Sequence, residues 1–325
     1  MKVLLTGATG FVGSHVLDGL LARGVPTAVL LRPTSNRRFI AAHLPRIEIC
    51  PGSITDPASL ATALHGVTHV IHCAGLIKAL RAEELFAVNR DGTRNVVAAV
   101  NAASVERLVH ISSLAVSGPG TAAAPAREDA PPAPVSEYGR SKLAAEREVT
   151  ERCRPAFTIL RPAAVFGPRD GEFLRLFKAA RARVLPVFGG GRQELSLVFV
   201  TDLAAAIIAS LEHPAAPGRI IHAASPEGAT ARQLTLEIAG VLGVRPFTPS
   251  LPNAALRPVC ALAQALARLT RRPTVLGHGK IHELMAAGWV CDTGRLRAEL
   301  GFTRFTPLRE GLRETGGWYE AAGWL

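Results

Sequence analysis

The chain opens Met1-Lys2-Val3-Leu4-Leu5-Thr6-Gly7-Ala8-Thr9-Gly10-Phe11-Val12-Gly13, and the reading of this stretch decides the fold. Val3–Leu5 is a short apolar strand, and Ser14–Arg23 has the composition of a helix. A strand that feeds a helix through a glycine-rich turn aims the helix's free N–H groups at one spot, which suits a pyrophosphate. The three glycines divide the work into a tight turn, room for phosphates, and close helix–strand contact. Alone, such a pattern is an ordinary turn. Directly after the first strand it predicts a dinucleotide site.

Strand and helix signals alternate outward from there. Strands are expected at Thr27–Leu31, Ile47–Cys50, His69–Cys73, Leu108–Ser112 and Phe157–Leu160. Helices are expected at Ser35–His43, Pro57–Leu64, Ala82–Ala103 and Glu137–Arg152. Such alternation predicts an α/β fold, a doubly wound parallel sheet of Rossmann type that binds ligands at the strands' carboxyl ends. The expected division is a dinucleotide-binding domain over residues 1–167, with sheet returns near 196–225 (Val198–Val200 and Arg219–His222). A smaller, mostly helical substrate cap is expected over 168–195 and 226–325. The proline- and alanine-rich loop 118–135 either orders over a substrate or simply connects.

Composition narrows the function classes. The 325 residues are 48% apolar and 19% charged, a globular balance. The net charge is +11, but only five of the 37 basic residues are lysine and the arginines are scattered, so no nucleic-acid-binding patch is expected. Five cysteines without C-x-x-C spacing suit a reducing, cytoplasmic compartment. The chain starts on a strand, so no signal peptide is expected, nor does any apolar run suit a membrane span. His65, His69 and His72 do not make a metal site, because residues three apart in a strand face opposite sides. His278 and His282 are no better placed, so no metal is expected.

Chemistry concentrates in Tyr138-Gly139-Arg140-Ser141-Lys142. Tyr138 and Lys142 are four apart and share a helical face. A tyrosine pKa of about 10 makes a poor base at neutral pH. A neighbouring ammonium is expected to stabilise the phenolate and lower that value. Ser113, at the end of the preceding strand, suits a substrate oxygen, with Ser112 as the inward-turned neighbour.

Taken together these residues resemble the extended short-chain dehydrogenases/reductases, the NAD-dependent epimerase/dehydratase superfamily. The resemblance rests on Thr6–Gly13, Val70–Gly75, Val88-Asn89 with Gly92-Thr93, Ser112-Ser113, Tyr138/Lys142, Leu160–Pro168 and Val198–Leu203. It implies Tyr138 as general acid/base, Lys142 as its modifier and a ribose ligand, and Ser113 as the substrate-oxygen partner. It implies that Gly7, Thr9, Gly10, Phe11, Val12 and Gly13 contact the pyrophosphate. Cys73, Ala74 and Gly75 would lie along the cofactor, and Pro162, Ala163 and Val165 would hold the nicotinamide amide. Asn89 would be structural or a water relay. A dimer through the helices at Ala82–Ala103 and Glu137–Arg152 is also implied.

Arg32 stands where an acidic residue would bind the ribose of NAD, and a guanidinium suits the 2′-phosphate, so NADP(H) is expected. Ser53 replaces the family's adenine-binding aspartate, leaving Ser53 and the Ile54 backbone for that role. Ala164 and Leu195 replace the asparagine and arginine of the sugar-nucleotide enzymes. The pattern around Leu160–Asp170 and at the C-terminus is closer to the hydroxysteroid dehydrogenase and dihydroflavonol reductase branch. The expected function is therefore alcohol–ketone interconversion on an apolar, steroid- or sterol-like small molecule. The alternatives are a sugar-nucleotide epimerase or dehydratase, and a dinucleotide-binding protein without catalysis. In 254–270, Arg257, Gln264, Arg268 and Arg271 fall on one helical face, with apolar residues filling most of the rest. That helix either lines an apolar pocket, contacts a membrane surface, or packs on its own domain.

Overall fold

A computed structural model describes residues 1–270, 274 and 281–325; Arg271, His278 and the Arg268 side chain lie outside the described residues. Six parallel strands, β1 (Val3–Thr6), β2 (Thr27–Leu31), β3 (Glu48–Pro51), β4 (His69–His72), β5 (Arg107–Ile111) and β6 (Ala156–Pro162), are joined by a seventh, Arg219–Ala223. Their order is Arg219–Ala223, β6, β5, β4, β1, β2, β3. The order reverses between β1 and β4, which opens a crevice at their carboxyl ends.

Both faces of the sheet are covered, so its central strands are apolar throughout rather than alternating. Val3 and Leu5 face the helices α1 (Phe11–Ala22) and Val200–Glu212, packing with Val16, Leu20 and Ile207. Leu4 points the other way and packs with Leu60, Val96 and Val149. These last three lie on α2 (Pro57–Ala63), α4 (Gly92–Ala102) and α5 (Glu137–Arg152); the short α3 (Ala82–Phe86) precedes α4. A separate aromatic core, with Phe166, Phe177, Phe199, Leu312 and Tyr319, holds the C-terminal helices. No helix among the described residues is long and apolar enough to cross a membrane.

Three expectations change. Ser35–His43 is not an α-helix: Asn36 Oδ1 accepts from the Arg38 N–H at 3.0 Å, and the only regular element is a 3₁₀ stretch over Ala41–Arg46. A side chain that bonds its own backbone competes with helix formation, and Pro45 forbids continuation. Arg38 is instead drawn over Phe39 and Trp324, its guanidinium carbon 4.4 and 4.7 Å from their ring centres. Ala82–Ala103 is two helices joined by a π-helical turn over Ala87–Asp91, which carries Asn89 inward to 1% exposure. Val198–Val200 does not rejoin the main sheet; Leu197–Phe199 pairs with Ala164–Phe166 in a small sheet of its own.

Loop 118–135 is stapled down. Gly120 pairs with Trp289 and Ala126 with Cys291, and a Glu128 carboxylate oxygen accepts from the His222 N–H at 3.0 Å.

Candidate active site

The glycine loop shows why its residues are small. Gly7 has φ +77°, and a Cβ there would lie 2.7 Å from the Ala74 nitrogen. A Cβ on Gly13 would lie 2.1 Å from the Gly7 carbonyl oxygen. The turn is thus wedged between α1 and the end of β4, and no side chain caps the helix that Gly10 begins. The first N–H groups of α1, at Phe11, Val12 and Gly13, face the crevice with the positive end of the helix dipole. The cradle fits a pyrophosphate, and side chains at either glycine would fill it. Thr6 Oγ1 accepts from the Ala74 N–H at 3.2 Å and so ties the Cys73-Ala74-Gly75 segment to the same loop.

Around the rim, Arg32 is exposed at the end of β2. The Ser53 hydroxyl accepts from the Thr55 N–H at 3.2 Å and bonds the Thr55 hydroxyl at 2.8 Å. The Ile54 carbonyl accepts from Asn95 at 3.0 Å, and its side chain is buried against Gly92. Adenine recognition through this segment is therefore limited to what Ser53 and the Ile54 N–H can offer. Pro162 and Ala163 are buried at the end of β6, while Val165 is half-buried and Ala164 exposed.

Tyr138 and Lys142 stand on α5, whose first turn is capped by the Ser136 hydroxyl accepting from the Gly139 N–H. The Tyr138 hydroxyl is hydrogen-bonded to the Ser113 side chain. Ser113 also accepts from the Ala115 N–H at 3.2 Å, which fixes its rotamer. Lys142 is buried and its Nζ donates to the Ile111 carbonyl at 2.6 Å. Asn89 is fully used: Oδ1 accepts from the Leu76 N–H at 2.7 Å, and Nδ2 donates to the Leu76 carbonyl and to the Ser141 hydroxyl, each at 2.9 Å. It clamps the segment after Gly75 to α5.

The expected lowering of the tyrosine pKa is not found. Burial pushes the Tyr138 phenol up to about 12; the Ser113 hydrogen bond opposes this, and the Glu283 carboxylate adds to it. Burial also pulls Lys142 down to about 8, with Glu146 and Cys73 opposing. Desolvation dominates here and Lys142 is not among the groups acting on the phenol, so Tyr138 is a neutral phenol at pH 7, a proton donor rather than a ready base.

Sequence reasoning missed two parts of the site. Glu283 comes from a segment far along the chain, Ile281–Met285, which has no motif. Its backbone carbonyl accepts from the Trp289 indole N–H at 2.9 Å. The other is the network behind α5. Ser112 turns inward and donates to Glu146, which Arg161 holds from the other side. A cavity of about 630 Å³ is lined by Pro119, Val135, Arg257, Ile281, His282 and Met285, with Val135 three residues before Tyr138 and Ile281 and His282 just before Glu283. Among the described residues no cluster of His, Cys, Asp or Glu could hold a metal ion. His72 bonds Thr6 at 2.7 Å and Thr93 at 3.0 Å, and burial lowers it to about 3.

The NAD dependent epimerase/dehydratase family model matches residues 3–224. The chain is 33% identical to a ceramide reductase of Caulobacter vibrioides over 324 residues, covering 99% of this chain and 96% of that protein. It is 30% identical to the Bos taurus sterol-4-alpha-carboxylate 3-dehydrogenase, decarboxylating, over 222 residues, covering 65% of this chain and 60% of the relative. Among solved structures, that of gox2253 superposes with a TM-score of 0.83 at 28% identity, covering 99% of this chain and 98% of that one.

Proposed function

The chain belongs to the NAD dependent epimerase/dehydratase family and is an enzyme of the extended short-chain dehydrogenase/reductase type, and on that premise we propose that it reduces a ketone to a secondary alcohol on an apolar, lipid-like substrate. The observation that carries this reading is the Tyr138 hydroxyl, hydrogen-bonded to Ser113 and held in its protonated form. A nicotinamide dinucleotide supplies or accepts the hydride when bound.

The chain's own residues supply the rest. Ser113 and Tyr138 offer two hydroxyls to one substrate oxygen, and Tyr138 gives that oxygen its proton as negative charge grows there. Lys142, whose Nζ is held by the Ile111 carbonyl, would hold the cofactor's ribose hydroxyls and offset charge left on Tyr138. The cavity that Val135 and Ile281 line supports a largely apolar substrate, since Pro119 and Met285 line it too, with Arg257 and His282 at its polar edge. Ala164 and Leu195 support the same class by leaving out the polar groups that a sugar nucleotide needs. A relative named ceramide reductase and another named for a sterol carboxylate point to long-chain or polycyclic lipids.

NADP(H) is the cofactor this reading favours, through Arg32. Net consumption of NADPH with a panel of apolar ketones, matched by alcohol formed, tests the reaction class. Product formed from a sugar nucleotide with no net change in the dinucleotide contradicts it. For the cofactor, Arg32→Ala is expected to weaken NADPH by about tenfold, or about 1.4 kcal/mol, and leave NADH unchanged.

A further inference from the structure

The helix Leu256–Thr270 packs on the protein through Leu256, Cys260 and Ala267, which are 1%, 0% and 7% exposed. Its opposite face is bare. Val259, Leu262, Leu266 and Leu269 are 39%, 63%, 51% and 81% exposed. Their spacing of three, four and three puts them on one stripe, and the exposed Ala261 and Ala265 widen it. A soluble surface rarely keeps four large aliphatic side chains in one row.

Along the sequence, the segment that holds this stripe carries charge of one sign. From Ile238 to His282 the sequence has no Asp or Glu, yet it carries Arg245, Arg257, Arg268, Arg271, Arg272 and Lys280. Apolar residues on one face of a helix in an arginine-bearing segment are what a helix lying in an anionic lipid interface needs; the first acid beyond the segment, Glu283 on the adjoining Ile281–Met285, is close enough to Tyr138 to act on its phenol. A second copy of this chain fits poorly. A twofold contact brings like-charged segments of two copies together, and neither segment carries a carboxylate of its own to pair with.

We propose that Leu256–Thr270 docks this enzyme on a bilayer surface bearing anionic headgroups. The helix also borders the cavity described above, since Arg257 in its first turn lines it.

The test is flotation of the full chain with phosphatidylcholine vesicles, with and without phosphatidylglycerol. The wild type is expected to float with the anionic vesicles and to be largely released by high salt. Leu262→Glu/Leu266→Glu is expected to lower the bound fraction by at least about tenfold, as charge is placed in the apolar face. Its melting temperature and NADPH titration are expected to be unchanged, because neither residue is buried or near the glycine loop. Leu269→Glu is a second, single-site variant with the same expectation. Folded wild type that stays unbound, or variants that float as well as it does, would overturn the proposal. So would a wild-type dimer that the glutamate variants split while vesicles are ignored. The readout is binding, so a failure here stays distinct from a failure of the catalytic reading.

Discussion

Arg161 and Glu146 form a two-pronged ion pair inside the protein: Nε to Oε1 is 2.9 Å and Nη2 to Oε2 is 2.7 Å, with the side chains 2% and 3% exposed. The pair joins β6 to α5 one turn beyond Lys142. Ser112, the neighbour of Ser113, donates to the same carboxylate at 2.5 Å. The remaining Arg161 nitrogen donates to Ser117 at 3.1 Å, and Ser117 bonds His222 at 2.8 Å. One buried network therefore sets the heights of the Tyr138 helix and of the Ser113 turn relative to each other.

Removing one partner strands a charge in the interior. Glu146→Gln or Arg161→Met is expected to cost about 3–5 kcal/mol of stability, and Arg161→Met with Glu146→Leu to regain most of it. Urea denaturation measures all three. Single variants as stable as the wild type would refute this role for the pair.

The glycine cradle makes a sharper distinction. Gly13→Ala places its methyl 2.1 Å from the Gly7 carbonyl and is expected to abolish dinucleotide binding. Gly24→Ala is the control: φ is +69° there, but nothing lies within 4 Å of the added carbon. It is expected to cost about 1 kcal/mol and leave binding intact. Fluorescence titration of NADPH distinguishes the two, and equal affinities would contradict the crowding argument.

Buried histidines give the protein an acid limit. Burial lowers His72 to about 3, His222 to about 4, and His110 well below its ordinary value. In the unfolded chain each titrates near 6.5. Between those values the unfolded chain binds more protons, so stability falls as pH drops below about 6.5. Asp170, raised to about 6 by burial, acts the other way between about 6 and its ordinary range. His15 and His69 are lowered by burial too, while Glu128, Asp202 and Glu314 are raised beside Asp170; the two deeply buried histidines His72 and His110 carry the larger shifts, so the melting temperature is expected to fall from pH 7 to about 4.5. A flat profile would show that the histidines are not held neutral.

What was legible in the sequence was local. The strand–turn–helix at Val3–Ala22 and the four-residue step from Tyr138 to Lys142 are set by chain-neighbour geometry, and the periodicity carries it. Whatever depended on distant partners was not. Nothing near Glu146 announces Arg161, and nothing near Tyr138 announces Glu283. The tyrosine's acidity was misjudged because spacing shows which charge is close but not how much water is lost. Ser35–His43 forms no α-helix because Asn36 bonds the Arg38 N–H and Pro45 bars continuation, and the ring that draws the Arg38 side chain away, Trp324, lies far along the chain. In Leu256–Thr270 the periodicity marked faces, but only packing shows that much of the aliphatic face points outward.

The proton-donor role of Tyr138 is tested most directly by Tyr138→Phe in the otherwise unchanged enzyme. Ketone-dependent NADPH oxidation and NADPH affinity should be measured side by side. The account predicts a rate loss of about 10²–10⁴-fold with the affinity nearly unchanged. Turnover that survives the loss of the hydroxyl would contradict it.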